Sequence, residues 1–144
     1  ILSSVIQRGS TIDELMEFEH AYAPPFSSAK DPVNMIGFVA DNLITGKLKT
    51  TSWKKAQEMN DDELLIDVRT PEEYLLGHIP LAINLPIDSL REHLHLIPKD
   101  KNVYIYCQIG LRGYLAQRIL FQNGYNLIQN LAGGYKTWEA CVNA

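Results

Sequence analysis

The chain has 144 residues, 46% of them apolar and 21% charged, a balance that belongs to a folded globular protein and excludes wholesale disorder. Its net charge of −4 argues against nucleic acid or an anionic membrane as a partner, and no apolar run approaches the ~20 residues of a membrane helix. Two cysteines, Cys107 and Cys141, and four histidines show no metal-ligand spacing, so no metal is expected, and a reducing, cytoplasmic setting is.

The chain opens on Ile1 without a basic-then-apolar leader, which reads as the interior of a longer protein rather than a secreted precursor. Residues 1 to about 30 carry one short helical pattern, Ile12 to Glu19, with Ser10 or Thr11 available as its cap. Tyr22-Ala23-Pro24-Pro25 stops it, and Ser27 to Lys30 reads as loop. Asp31-Pro32 restarts a helix, with Met35, Ile36, Val39 and Leu43 as its apolar stripe and Gly46 as its end. Two helices around a proline loop are not expected to enclose a core of their own.

From Lys47 the pattern changes. A short strand is predicted over 47–51, a helix over 53–59 capped by Ser52, and a strongly apolar strand over 63–68. Thr70-Pro71-Glu72-Glu73 is a capping box with proline at the first helical position, and Gly77 closes that helix. A strand over 82–85, a helix over 87–94 and a strand over 103–106 follow. After them come a helix over 111–122 with Leu111, Leu115 and Ile119 on one face, a strand over 126–129 and a last helix over 135–141. Alternating short strands and helices predict an α/β fold: a mostly parallel five-stranded sheet with helices on both faces, preceded by an N-terminal helical arm. In such sheets ligands gather beyond the carboxyl ends of the strands.

Cys107 lies at one such end, directly before Gln108-Ile109-Gly110-Leu111-Arg112. A thiol where a strand turns into a helix faces backbone N–H groups that lack intrahelical partners, and the helix dipole and Arg112 add positive potential. These favour an anionic, reactive sulfur. The same amides suit a persulfide, which is also anionic, while Gly110 lets the backbone come close.

The stretch from Leu65 to Tyr74, continuing through Gly77-His78-Ile79-Pro80 to Ala82–Pro86, closely resembles the rhodanese homology domain. Tyr104 to Arg112 resembles that family's active-site strand and loop, and Gly124-Tyr125, Leu131 to Tyr135 and Trp138 resemble its C-terminal pattern. The resemblance implies a rhodanese-like domain over 47–144 and a sulfurtransferase in which Cys107 takes a sulfane sulfur as a persulfide and passes it to a thiol. Thiosulfate or a persulfide is the implied donor, and residues 108–112 are the binding loop. The alternative is a non-catalytic persulfide carrier or docking module. Four residues separate Cys107 from Arg112; the dual-specificity cell-cycle phosphatases of similar fold carry one more, so the spacing resembles the sulfur-transferring branch. Asp67 and Arg69 read as a supporting brace, His78 as a hydrogen-bonded structural residue, His93 and His95 as a solvated helix edge, and Cys141 as a bystander. Trp53 and Trp138 read as packing residues.

Tyr22 to Met35 resembles the last stretch of the dimerisation domain of coenzyme A-disulfide reductases and related NADH oxidases, so residues 1–46 are expected to be that domain's remnant and linker. The resemblance implies a parent protein using FAD, NAD(P)H and coenzyme A, with the tyrosine at position 22 reaching the partner subunit's flavin side. This fragment holds no dinucleotide-binding segment and is expected to bind none of them. The flavoprotein domain is the implied partner, and an arm left without it either lies on the rhodanese domain or exchanges between chains as a homodimer.

Overall fold

The computed structural model describes residues 1–19, 25 and 31–143. The chain separates into two compact units, Ile1–Lys47 and Leu48–Ala144.

The first unit holds α1 (Leu2–Gln7), α2 (Ile12–Glu17) and α3 (Pro32–Ile44). Thr11 caps α2 by accepting from the Glu14 N–H, and Asp31 and Asn34 form a capping box at α3 with Pro32 in its first turn. The helix α1 was not expected, since no side chain caps it and Val5 is its one buried residue. With that helix present, Val5, Leu15 and Val33 close into a small core, so the expectation that this segment encloses nothing is corrected. The buried Asn34 amide ties the end of α2 down by donating to the carbonyls of Leu15, Met16 and Phe18 at 3.3, 3.2 and 2.9 Å. The predicted stripe Met35, Ile36, Val39 and Leu43 faces outward, each 44–47% exposed. Tyr22, Pro24, Phe26 and the 27–30 loop lie outside the described residues.

The second unit is built on five strands: β1 (Thr50–Thr51), β2 (Glu63–Asp67), β3 (Ile83–Asn84), β4 (Asn102–Tyr106) and β5 (Ile128–Leu131). They pair in the order β1-β5-β4-β2-β3, and every pair is parallel. Side chains alternate across the sheet. Ile66, Val68, Val103, Ile105 and Ile128 pack with Leu90 and with Ala116, Ile119 and Leu120 of α5 (Leu111–Gln122). Leu65, Tyr104, Tyr106 and Leu131 pack in a second cluster. Its other members include Tyr74 of α4 (Pro71–Leu75) and Tyr135 and Trp138 of α6 (Gly134–Val142). Helices therefore cover both faces.

Four predicted elements shift. The segments Trp53–Gln57 and Ile87–Leu96 are 3-10 helices, with no side-chain cap on either. The first strand shrinks to Thr50–Thr51. The last strand starts two residues later than predicted, because pairing Ile128 with Val103 turns Ile128, Asn130 and Leu131 inward and leaves Leu127 47% exposed. On α5, Leu111 and Leu115 are exposed, and of the predicted stripe only Ile119 enters the core. Gln117 is fully buried there and joins the two thinnest strand ends, its amide donating to the Lys49 and Ile128 carbonyls at 2.8 and 3.0 Å. His78 stacks on Tyr74 at 3.8 Å, with Nδ1 3.0 Å from the Tyr74 carbonyl oxygen.

Candidate active site

In the β2–β4 register Asp67 stands opposite Tyr106, so the segments leaving both strands, 68–70 and 107–110, emerge at one edge of the sheet. Cys107 continues the inward alternation of Val103 and Ile105 and is 2% exposed. The loop then turns sharply through Gly110, at φ 154°, into α5, whose first turn has no capping side chain. The Gly110 N–H instead donates to the Cys107 Sγ at 3.1 Å. The sulfur thus accepts from the residue that immediately precedes the helix, three positions along the chain.

Three supports hold this loop. Arg112 makes a two-pronged pair with Glu73, Nη1 to Oε2 at 2.6 Å and Nη2 to Oε1 at 2.7 Å. Glu73 Oε2 also accepts from the Thr70 N–H at 3.0 Å, so the capping box of α4 and the anchor of the loop are the same carboxylate. Arg112 is the main reason that this carboxyl is lowered from 4.5 to about 2. Arg112 is itself held in its charged form first by Glu73 and then, more weakly, by Cys107.

The second support is α6, whose N-terminal amides clamp the loop from the far side. The Tyr135 N–H donates to the Cys107 carbonyl at 2.8 Å and the Lys136 N–H to the Gln108 carbonyl at 3.1 Å. Gly134, at φ 61°, allows the approach, because a Cβ there would overlap the Cys107 carbonyl and the Gln108 backbone. The third is Asn130 on β5, buried, whose Nδ2 donates to the Gly110 carbonyl at 3.1 Å. Its Oδ1 finds no hydrogen-bond partner among the described residues and lies where a Cβ on Gly113 would fall.

Asp67 and Arg69 form a buried ion pair, Nη2 to Oδ2 at 2.7 Å, with Nε shared between both carboxylate oxygens at 3.0 Å. Arg69 also donates to the Gly77 carbonyl at 2.7 Å and to Gln108 Oε1 at 3.0 Å, and its guanidinium lies 4.2 Å from the Tyr135 ring centroid. The pair thereby reaches the loop through Gln108. Ile109 and Leu111 are 68% exposed and point away from these supports. Beside the loop, Arg69, Glu73, Leu76, Gly77, Gln108, Tyr135 and Glu139 line an open hollow of about 370 Å³.

Sequence reasoning brought together Cys107, its loop, Asp67 and Arg69, but it missed Glu73, Asn130, Gly134 and Tyr135 as parts of the site. Glu73 carried only the signal of a helix start. Cys141 is exposed and Cys107 buried, and neither is in a disulfide. Among the described residues no three metal-ligating side chains gather, and no helix is long and apolar enough to cross a membrane.

A family model described as the rhodanese-like domain matches residues 51–141. A curated protein named "Sulfurtransferase" from Allochromatium vinosum is 45% identical over 78 residues, covering 54% of this chain and 73% of that one. Among solved structures, reduced Bacillus anthracis CoADR-RHD is 41% identical with a TM-score of 0.92, covering 99% of this chain and 26% of that one. The NAD-dependent persulfide reductase from A. fulgidus is 40% identical with a TM-score of 0.81, covering 95% and 24% respectively. The chain spans about a quarter of both structures, yet the likeness runs through its N-terminal helices as well as its sheet. By its matched segment and by the parallel sheet that carries the Cys107 loop, this chain belongs to the rhodanese-like domain family.

Proposed function

We propose that Cys107 is the nucleophile of a sulfurtransferase. The observation that carries this reading is the Gly110 N–H aimed at the sulfur from an uncapped helix start, 3.1 Å away. The Cys107 thiolate attacks the outer, sulfane sulfur of a donor, thiosulfate or a persulfide. The donor's sulfur–sulfur bond breaks and its electron pair leaves with sulfite or a thiolate. The new Cys107 persulfide is an anion stabilised by the Gly110 N–H, by the positive start of α5 and by Arg112. An acceptor thiolate then attacks the outer sulfur, the electron pair returns to Cys107, and the acceptor leaves as a persulfide. Residues 108–112 shape the pocket for the transferred sulfur, and Asp67 and Arg69 hold Gln108 in register.

We further propose that residues 1–46 are the end of a flavoprotein dimerisation domain, and that the parent reductase uses FAD, NAD(P)H and coenzyme A to reduce disulfides, persulfides or polysulfides in the cytoplasm. The extent of the likeness to CoADR-RHD and to the persulfide reductase supports this reading. The outward stripe of α3 then faces the flavoprotein domain or a second chain. Incubation with thiosulfate followed by mass spectrometry tests the chemistry: one added sulfur atom on Cys107, absent from Cys107→Ser, is expected. A sulfur found elsewhere, or none with any sulfane donor, overturns it. Persulfide formation without turnover to cyanide or a thiol would instead favour the carrier role.

A further inference from the structure

Gly110 is engaged through both of its backbone groups at the start of α5. Its N–H donates to the Cys107 Sγ at 3.1 Å, and its carbonyl accepts twice, from the Tyr114 N–H at 2.9 Å and from Asn130 Nδ2 at 3.1 Å. The Tyr114 bond is the helix's own, whereas the Asn130 bond comes from the sheet. Asn130 is 4% exposed and its backbone is fixed from both sides. It stands opposite Thr50 on β1 and Ile105 on β4, and its N–H donates to the Lys49 carbonyl at 2.9 Å. A carbonyl can only accept, so Nδ2 must face Gly110 and Oδ1 must face away. Oδ1 then lies against Gly113, where it finds no hydrogen-bond partner among the described residues. A buried acceptor left unmet destabilises the fold, and a leucine of similar shape would carry no such cost.

We infer that Asn130 is a positioning residue for the sulfur chemistry: by holding the Gly110 carbonyl it fixes the direction from which the Gly110 N–H meets the Cys107 sulfur. The inference rests on the nucleophile reading above and adds to that site a residue that touches neither the sulfur nor a substrate. The peptide plane bearing the Gly110 N–H and the plane bearing its carbonyl meet at a Cα without a side chain, so both turn easily unless a group outside the loop holds one of them. Asn130 holds the second plane from a strand that is paired on both edges, which is the rigid base such a support needs. Gly113 completes the device. A Cβ there would overlap Oδ1 and Cγ of Asn130, so a glycine inside α5 is what lets the amide stand at this angle. Helix interiors disfavour glycine, and here that preference yields to the contact.

Asn130→Leu tests this, because it keeps the volume and removes both the donor and the unmet acceptor. The unfolding midpoint should hold or rise, while the limiting rate of persulfide formation on Cys107 with thiosulfate falls about tenfold and the half-saturating concentration stays within about twofold. Amide hydrogen exchange read by NMR should quicken at least about tenfold at Gly110 and stay unchanged in β4 and in the middle of α5. Gly113→Ala, the better helix former, should reproduce the slower sulfur uptake and the faster Gly110 exchange by pushing the Asn130 amide aside. It should add no further loss in an Asn130→Ala background, where its methyl has room. Exchange at Gly110 that is unchanged in Asn130→Leu and Gly113→Ala, or that quickens equally throughout the domain, overturns the positioning role. Quickened exchange at Gly110 with an unchanged limiting rate overturns its bearing on the chemistry. Failure of the nucleophile reading shows separately, as absence of persulfide on Cys107 in the unaltered protein, and leaves the exchange measurement standing.

Discussion

Replacing Glu73 by glutamine removes one charge and disturbs two structures together, the start of α4 and the anchor of the Cys107 loop. The carboxyl falls from 4.5 to about 2 in the folded protein. At about 1.36 kcal/mol per pH unit this corresponds at face value to roughly 3.4 kcal/mol. Both partners are about a third exposed, 32% for Arg112 and 31% for Glu73, so solvent screening reduces it. The expected loss of stability at pH 7 is about 1–2 kcal/mol. A carboxyl lowered by folding stabilises fully above its unfolded pKa, and that contribution disappears as pH falls through the folded value. The difference between the unaltered protein and Glu73→Gln should therefore be constant from pH 7 to about 5, shrink between about 4.5 and 2, and vanish below that. Urea unfolding at pH 7, 4.5 and 3 measures it, and a double-mutant cycle with Arg112→Gln isolates the pair. Sulfur transfer should fall about tenfold as the loop loses its anchor, equivalent to about 1.4 kcal/mol at the transition state. A stability difference below about 0.3 kcal/mol at pH 7, or one that does not decline with pH, refutes the reasoning.

Cys107→Ser should abolish sulfur transfer with little change in the unfolding midpoint, whereas Cys141→Ser should leave the rate unchanged; equal damage from both would point to a two-cysteine relay. Gly134→Ala meets a left-handed backbone and the carbonyl of Cys107 together, so it should cost more than about 2 kcal/mol and slow sulfur transfer, as thermal unfolding and steady-state rates will show. Deleting residues 1–46 should leave a folded domain that forms the Cys107 persulfide, checked by circular dichroism and mass spectrometry; an unfolded product would move the domain boundary into the deleted segment.

The strands that were legible are those whose two sides both enter a core. Leu64 to Ile66 and Val103 to Tyr106 form continuous apolar runs because helices cover both faces of the sheet. The capping box of α4 and the prolines that open α3 and α4 are equally local and were read correctly, whereas Asn34, which completes a second box at α3, was not. The edges were harder. Thr50–Thr51 is a strand only because β5 lies beside it, and nothing in those two residues says so. The 3-10 helices share their apolar spacing with α-helices over a few residues, and only the shorter hydrogen-bond span distinguishes them. At the candidate site Cys107 stood out from its strand-to-helix position. Its supports were not, because Glu73, Asn130 and Gly134 reach the loop across the fold rather than along the chain, and a glutamate that caps one helix gives no sign that it also anchors the next.

The order of the strands has a consequence for how a newly made chain acquires its chemistry. Cys107 directly follows β4, but the carbonyls of its loop are held by amides of residues 135 and 136 and by the side chain of residue 130, all later in the chain. The strand between β1 and β4 is the last to be synthesised. A growing chain therefore leaves the carbonyls of this loop unheld until β5 has slotted between its neighbours and α6 has docked. A chain broken off before residue 130 therefore carries Cys107, Gly110 and Arg112 without the later groups that fix the carbonyls of their loop.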